Sequence, residues 1–267
     1  MTRKHRRPIA CGRYERSWGE DERHLLWLRQ LKRYFRAKVR IISALGQPAL
    51  FLLSLGFGFG PLYQRAGAGN YIQFLAPGVI AMGVLFPAVF SGIEIIWDRQ
   101  FGFLKETLIA PVSRLQIVLG RALGSATTAL MQGIIVLMIC SVAGFRIENI
   151  FLLPVALGFM FLIALLGNSI GTAIASVLED VQGFQLIMNF LVTPLFFFSN
   201  ALFPVDGLPA PLRLLVHLNP LSYGIDGLRG ALGPAFLFGQ AIDFVILGGI
   251  TAILLALGSF LFSRIQL

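Results

Sequence analysis

NIFLLPVALGFMFLIALLGNSIGTAIASVL, residues 149–178, holds no Asp, Glu, Lys or Arg. A helix needs roughly 20 apolar residues to cross the hydrocarbon core of a bilayer. An ionised side chain at the centre of such a helix costs about 2.5–3.5 kcal/mol on insertion scales. A run this long without one reads as a transmembrane helix. Five more windows are equally free of charge: 41–64, 66–93, 122–145, 181–205 and 244–263. The expected fold is therefore an all-α integral membrane protein with six transmembrane helices. Composition agrees. Of 267 residues, 56% are hydrophobic and 13% charged, about half the charged share of an ordinary soluble domain.

The remaining charges are unevenly placed. Of 22 Lys and Arg, 13 precede residue 41. Arg99, Lys105, Arg114 and Arg121 follow the second window, and Arg264 lies at the C-terminal end. The alternate connections hold only Arg65, Arg146, Arg213 and Arg229. This bias predicts that both termini and the 97–121 connection face the cytoplasm. The net charge of +9 sits mostly next to the membrane. Anionic lipid head groups explain it, so no nucleic acid partner is expected. Cys11 and Cys140 fall on the tail and inside a span, which suggests neither a disulfide nor a metal site. The first apolar run starts near residue 41, too late and too long for a cleavable signal peptide.

Three regions follow from these patterns. Residues 1–20 read as a basic, disordered cytoplasmic tail. Residues 21–40 place Leu25, Leu28, Leu31, Phe35 and Val39 on one helical stripe, with basic residues around it. Such a segment is expected to be an amphipathic helix lying in the cytoplasmic interface, anchored by Trp27 and Tyr34. Residues 41–267 form the six-span domain. Its first span contains Gln47-Pro48, where proline removes a backbone hydrogen bond and bends a helix.

Two connections are unusual. In FLKETLIAPVSRL, residues 103–115, Leu104 and Leu108 continue a stripe that starts at Phe101. Lys105 and Glu106 lie off it. Pro111 disfavours helix at Ala110. Ser113 with Gln116 makes a capping box for the next span. The pattern fits a short amphipathic helix, either resting on lipid or docked in the groove of a soluble partner. Residues 200–233, NALFPVDGLPAPLRLLVHLNPLSYGIDGLRGALG, are semi-polar and dense in Pro and Gly. Such backbone is tolerated at membrane depth only against protein or a cavity. One or two short helices dipping into the outer leaflet are expected there.

The chemistry of an enzyme is missing. His5, His24 and His217 are scattered, and no Gly-Lys dipeptide occurs, so this chain has no P-loop. Glu179-Asp180 reads as a solvated turn. No coupling carboxylate lies inside the charge-free windows, unlike an ion-driven transporter. Asn189, Thr193 and Asn200 put polar groups on or near the fifth span. A translocation path and helix–helix hydrogen bonding account for them equally well. Phe196–Phe198 suit either a hydrophobic cargo or lipid.

Three passages resemble the membrane subunit, or permease, of ABC transporters of the type-2 exporter class, which includes drug, polysaccharide and nodulation-factor exporters. They are ISALGQPALFLLSLG (42–56), RQFGFLKETLIAPVSRLQIVLGRALG (99–124) and FFFSNALFPVDGLPAPLRLLVHLNPLSYGIDGLRGAL (196–232). The resemblance implies an exporter of two permeases, as a homodimer, and two ATP-binding subunits in a bacterial plasma membrane. ATP and Mg would belong to those subunits, with no cofactor and no metal here. It implies that 99–110 is the coupling helix on the ATPase, with Arg99, Phe101, Leu104, Lys105, Glu106 and Leu108 at that contact. The external re-entrant helices would carry Pro204, Pro209, Asn219, Pro220, Tyr223, Asp226 and Arg229. A membrane anchor without transport and a passive channel are the alternatives; binding of an ATPase separates transport from anchoring, and ATP-dependent flux separates a pump from a channel.

Overall fold

A computed structural model describes residues 38–65, 69–102, 114–205, 208–233 and 237–264, with side chains from Leu45 in the first helix and Gln116 in the fourth. The elements in chain order are α1 (Lys38–Arg65), α2 (Tyr71–Phe90), α3 (Ile93–Gln100), α4 (Arg114–Val142), α5 (Leu153–Val177), α6 (Val181–Phe197), α7 (Ala210–Leu218), α8 (Pro220–Leu232) and α9 (Gln240–Ser263). A 3₁₀ turn, Ile150–Leu152, leads into α5. The described residues contain no strand. Five stretches are long and apolar enough to cross a membrane: Leu45–Arg65, Tyr71–Gln100, Gln116–Val142, Ile150–Val177 and Gln240–Ser263. The window 181–205, expected as the fifth of six spans, yields only the 17 residues of α6. At 1.5 Å per residue that is about 25 Å, short of the ~30 Å hydrocarbon core. The chain leaves the helix at Ser199–Asn200, where Asn200 adopts a positive φ of 59°.

The tail and the segment 21–37 lie outside the described residues, as do Leu104, Lys105, Glu106, Leu108, Pro111 and Ser113.

α2 is the centre of the bundle, buried without a break from Leu75 to Leu85. It packs against α5 at backbone distance. Gly167 and Gly171, spaced as in a membrane GxxxG motif, lie opposite Leu85, Ala88 and Val89. A Cβ at Gly92 would stand 2.5 Å from the Gly171 carbonyl oxygen, and one at Gly171 would collide with the Val89 carbonyl. Two apolar helices gain little from hydrophobic burial inside lipid, so this close contact supplies the attraction. α1 is attached more loosely, with Leu52 its largest fully buried side chain. A groove of about 410 Å³, lined by apolar residues including Leu52, Phe57, Ile135 and Met138, separates it from α4.

The bundle has two distinct ends. At one, Tyr63 meets Tyr71 and Phe74, and the 145–149 turn is held by Gln73, whose amide bonds both backbone groups of Arg146. The segment after α6 belongs to this end. The Tyr71 hydroxyl donates to the Leu202 carbonyl at 3.1 Å. A Cβ at Gly78 would lie 2.7 Å from the Ala201 oxygen. α8 then runs between α5 and α9. Gly224 faces Ile163 and Leu247, and Gly227 lies under the Phe159 ring. Phe159 and Ile163 are about 9–15 Å along α5 from its start, so α8 lies deep among the spanning helices. The opposite end gathers α3, the start of α4 and the 178–180 turn.

Candidate functional site

α3 is the short helix that leads into the 99–110 connection. Its first turn follows the Ser91–Gly92 turn that ends α2. Asp98 is buried and paired with Arg121, on α4. Arg121 is seven residues into that helix with most of its side chain buried, so its charge needs a partner. Removing one member of such a buried pair costs about 3–5 kcal/mol. Arg99 reaches the other way, to the Glu179 carboxylate at 3.0 Å, and the Gln100 amide donates to the Glu179 carbonyl at 3.0 Å. Asp180 caps α6 by accepting from the Gly183 N–H. The acidic pair read from sequence as a solvated turn is exposed in that turn, and there it also caps α6 and docks α3.

Deeper in the bundle, the Ser91 hydroxyl accepts from the Ser125 hydroxyl and from the Asn168 amide, both at 2.8 Å. It donates to the Ala88 carbonyl at 2.6 Å. α2, α4 and α5 are tied together by this knot. Phe101, expected on the stripe with Leu104 and Leu108, instead ends α3, and Gly102 follows at φ +78°. Phe101 is 72% exposed. The left-handed glycine breaks the helical phase, so Phe101 is separate from any helix that follows.

At the opposite end, the polar residues of 196–232 act on backbone groups. Asn219 accepts from the Leu221 N–H at 2.9 Å and donates to the Leu195 carbonyl at 2.6 Å. It both caps α8 and ties it to α6. Pro220 opens α8, where its missing N–H costs nothing. Pro209 precedes α7, and Pro204 is exposed in the preceding bend. The Tyr223 hydroxyl donates to the His217 carbonyl at 2.7 Å. Asp226 is buried and accepts from the Leu237 and Phe238 N–H groups at 2.7–2.8 Å. Asp243, in the first turn of α9, is also buried. Arg229 donates to the Asn200 carbonyl at 2.9 Å and stacks 4.2 Å above the Phe74 ring. The Asn200 amide, with its oxygen towards Arg229 Nη1 at 2.9 Å, donates to the Phe203 carbonyl at 2.8 Å.

The three residues considered for a translocation path part company. Asn200 is buried in the Arg229 cluster. α6 buries only Phe184, Met188, Val192 and Phe196. Gln185 and Asn189 are exposed, and Thr193 half-buried, at i, i+4 and i+8. They form a polar stripe on the outer face of α6, beside the exposed Leu186 and Phe190.

The sequence reading missed the Asp98–Arg121 pair and the Ser91–Ser125–Asn168 knot. One signal was present: Arg121 is the charge that directly precedes the charge-free window 122–145. The knot left none, because Ser and Asn occur throughout the spans.

Residues 22–232 match the family model described as ABC-2 type transporter. The chain is 30% identical over 201 residues to a transport permease named ycf38 from Cyanophora paradoxa, covering 73% of this chain and 68% of that protein. It is 30% identical over 214 residues to Nodulation protein J of Rhizobium leguminosarum bv. trifolii, covering 77% and 80%. It is 27% identical over 209 residues to the doxorubicin resistance ABC transporter permease protein DrrC of Mycobacterium tuberculosis, covering 76% and 73%.

Proposed function

The chain belongs to the ABC-2 type transporter family, and on that premise we propose that it exports a hydrophobic or amphiphilic substrate. It is a multi-pass membrane permease subunit. Permeases of this family pair with ATP-binding subunits, which hold and hydrolyse the ATP. The cargo is of the drug, lipid-linked or glycan type, and it leaves the cytoplasm or inner leaflet by alternating access. A relative named for doxorubicin resistance supports this class.

In this reading α6 is the fifth of six spans, and both termini and the 97–121 connection are cytoplasmic, in a bacterial plasma membrane. The tail is 1–20, the interfacial helix 21–40 and the permease domain 41–267, with Lys38–Arg40 continuous with α1. Two copies pair, with two ATP-binding subunits below them. α7 and α8 are the external re-entrant helices, which the deep position of Gly224 and Gly227 supports. The stripe of Gln185, Asn189 and Thr193 supports a path along α6, because lipid cannot satisfy these side chains. ATP closes the partner subunits, they move the 99–110 connection, and the two bundles rock.

The observation that carries the ATPase contact is the anchored base of the 99–110 connection. Asp98, Arg99 and Gln100 are all bonded to the bundle, while Phe101 next to them projects outward. Glu106→Arg tests it. The variant is expected to insert normally but to lose ATP-driven efflux of a fluorescent amphiphile such as doxorubicin from vesicles containing the full complex. Unchanged efflux would remove Glu106 from the contact.

A further inference from the structure

We propose that Asp98–Arg121 and Arg99–Gln100–Glu179 form one clamp that transmits movement of the 99–110 segment into α4 and the 178–180 turn together. The inference rests on reading that segment as the ATPase contact. Asp98 and Arg121 flank the connection, so their ion pair closes it at the neck. Arg99 and Gln100, next in sequence, fasten the same neck to the turn between α5 and α6. α3 is separated from α2 by the Ser91–Gly92 turn. A helix joined to the bundle only through that turn would pivot there, and a push on it would be dissipated. The buried Ile93, Ile95 and Ile96 hold the start of α3 against the bundle, and the clamp fixes its far end, Asp98–Gln100, as well. Displacement of α3 has to carry α4 with it through Arg121, and the start of α6 through Glu179.

The two halves of the clamp differ in strength. Asp98 and Arg121 are largely buried, so salt and water weaken their attraction little. Glu179 is exposed, with 79% of its side chain accessible, and its ion pair contributes little on its own. Transmission into α4 is therefore the firm branch and transmission into α6 the yielding one. Behind the firm branch stands the Ser91–Ser125–Asn168 knot, whose Ser125 is four residues beyond Arg121 on α4, about 6 Å at 1.5 Å per residue. It holds α2, α4 and α5 in register, so that α4 does not move alone.

The test uses the complete complex of permease and ATP-binding subunits in nanodiscs. Spin labels are placed at Leu62→Cys and Ile150→Cys, both exposed at the far end of the bundle, in a background with Cys11→Ser and Cys140→Ala. In the parent complex ATP is expected to shift the distance between the labels. Asp98→Asn should still bind the ATPase, while the ATP-shifted population falls roughly tenfold, an ordinary size for coupling between sites. The exchange Asp98→Arg with Arg121→Asp should regain most of the shift, which a role in folding alone would not predict. Glu179→Gln should reduce the shift less than Asp98→Asn does. A full shift in Asp98→Asn overturns the clamp, and so does an exchanged pair that assembles without regaining it. A Glu106→Arg complex that keeps both assembly and the shift overturns the ATPase-contact reading instead, and the Asp98→Asn result is then judged on its own.

Discussion

Gly171 has no side chain because the Val89 carbonyl occupies the space a Cβ needs. Neither atom can yield cheaply, since both belong to the backbone of a spanning helix. Overpacking usually costs about 1–3 kcal/mol, and a backbone contact is at the upper end. Gly171→Val is expected to lower the melting temperature of the detergent-solubilised permease by several degrees, while Gly248→Val, where a Cβ meets nothing within 4 Å, should leave it nearly unchanged. Equal effects would mean that α2 and α5 do not meet at Gly171. Asn200 is a residue whose position has a different cause. Its φ of 59° is tolerated by Asn better than by most residues, and the turn it makes delivers its carbonyl to Arg229.

α8 is a helix whose sequence is semi-polar. Asn219, Ser222, Asp226 and Arg229 are buried along it, and each of Asn219, Asp226 and Arg229 answers a backbone group of another segment. Hydrogen bonds to charged groups contribute about 1.5–3 kcal/mol. Arg229→Met would leave the Asn200 carbonyl without its donor. The expected outcome is faster cleavage of the 198–210 segment in limited proteolysis, with α2, α4 and α5 still protected. No change in cleavage would show that the segment is held by its apolar contacts alone. At the other end of the bundle, α3 has the same logic in smaller form. Eight residues carry Asp98, Arg99 and Gln100 in sequence, and the helical turn sends them to different partners.

The molecule as a whole is unevenly covered. α2 is buried within one chain, whereas α1 and α6 present wide faces to their surroundings. On α6 that face includes Gln185 and Asn189, which hydrocarbon cannot satisfy. A second copy meeting along α6 would cover them or enclose them in a polar path. Asn189→Cys, with Cys11 and Cys140 replaced, is then expected to form a disulfide-linked dimer in membranes under mild oxidation. Leu257→Cys, on the exposed face of α9, should remain monomeric. A dimer through Leu257→Cys alone would move the interface away from α6.

Charge-free length by itself determined that this chain lives in a membrane. The cost of an ion in hydrocarbon is large compared with any local preference, so 149–178 is legible one residue at a time. The resemblance in 42–56, 99–124 and 196–232 was equally local, and the family followed from it. What only the tertiary structure decided was which polar residues meet. Asp98 and Arg121 are 23 positions apart, Arg99 and Glu179 are 80 apart, and Asn200 and Arg229 are 29 apart. Apart from the place of Arg121 at the edge of a charge-free window, nothing in their own neighbourhoods distinguishes them from solvated surface residues. Packing also shortened the fifth apolar window to α6, because the chain turns at Asn200 to reach Arg229. Apolar burial in lipid is indifferent to partner, but a buried polar group is not. It was therefore the few polar side chains, whose partners are distant in sequence, that required the folded molecule to be understood.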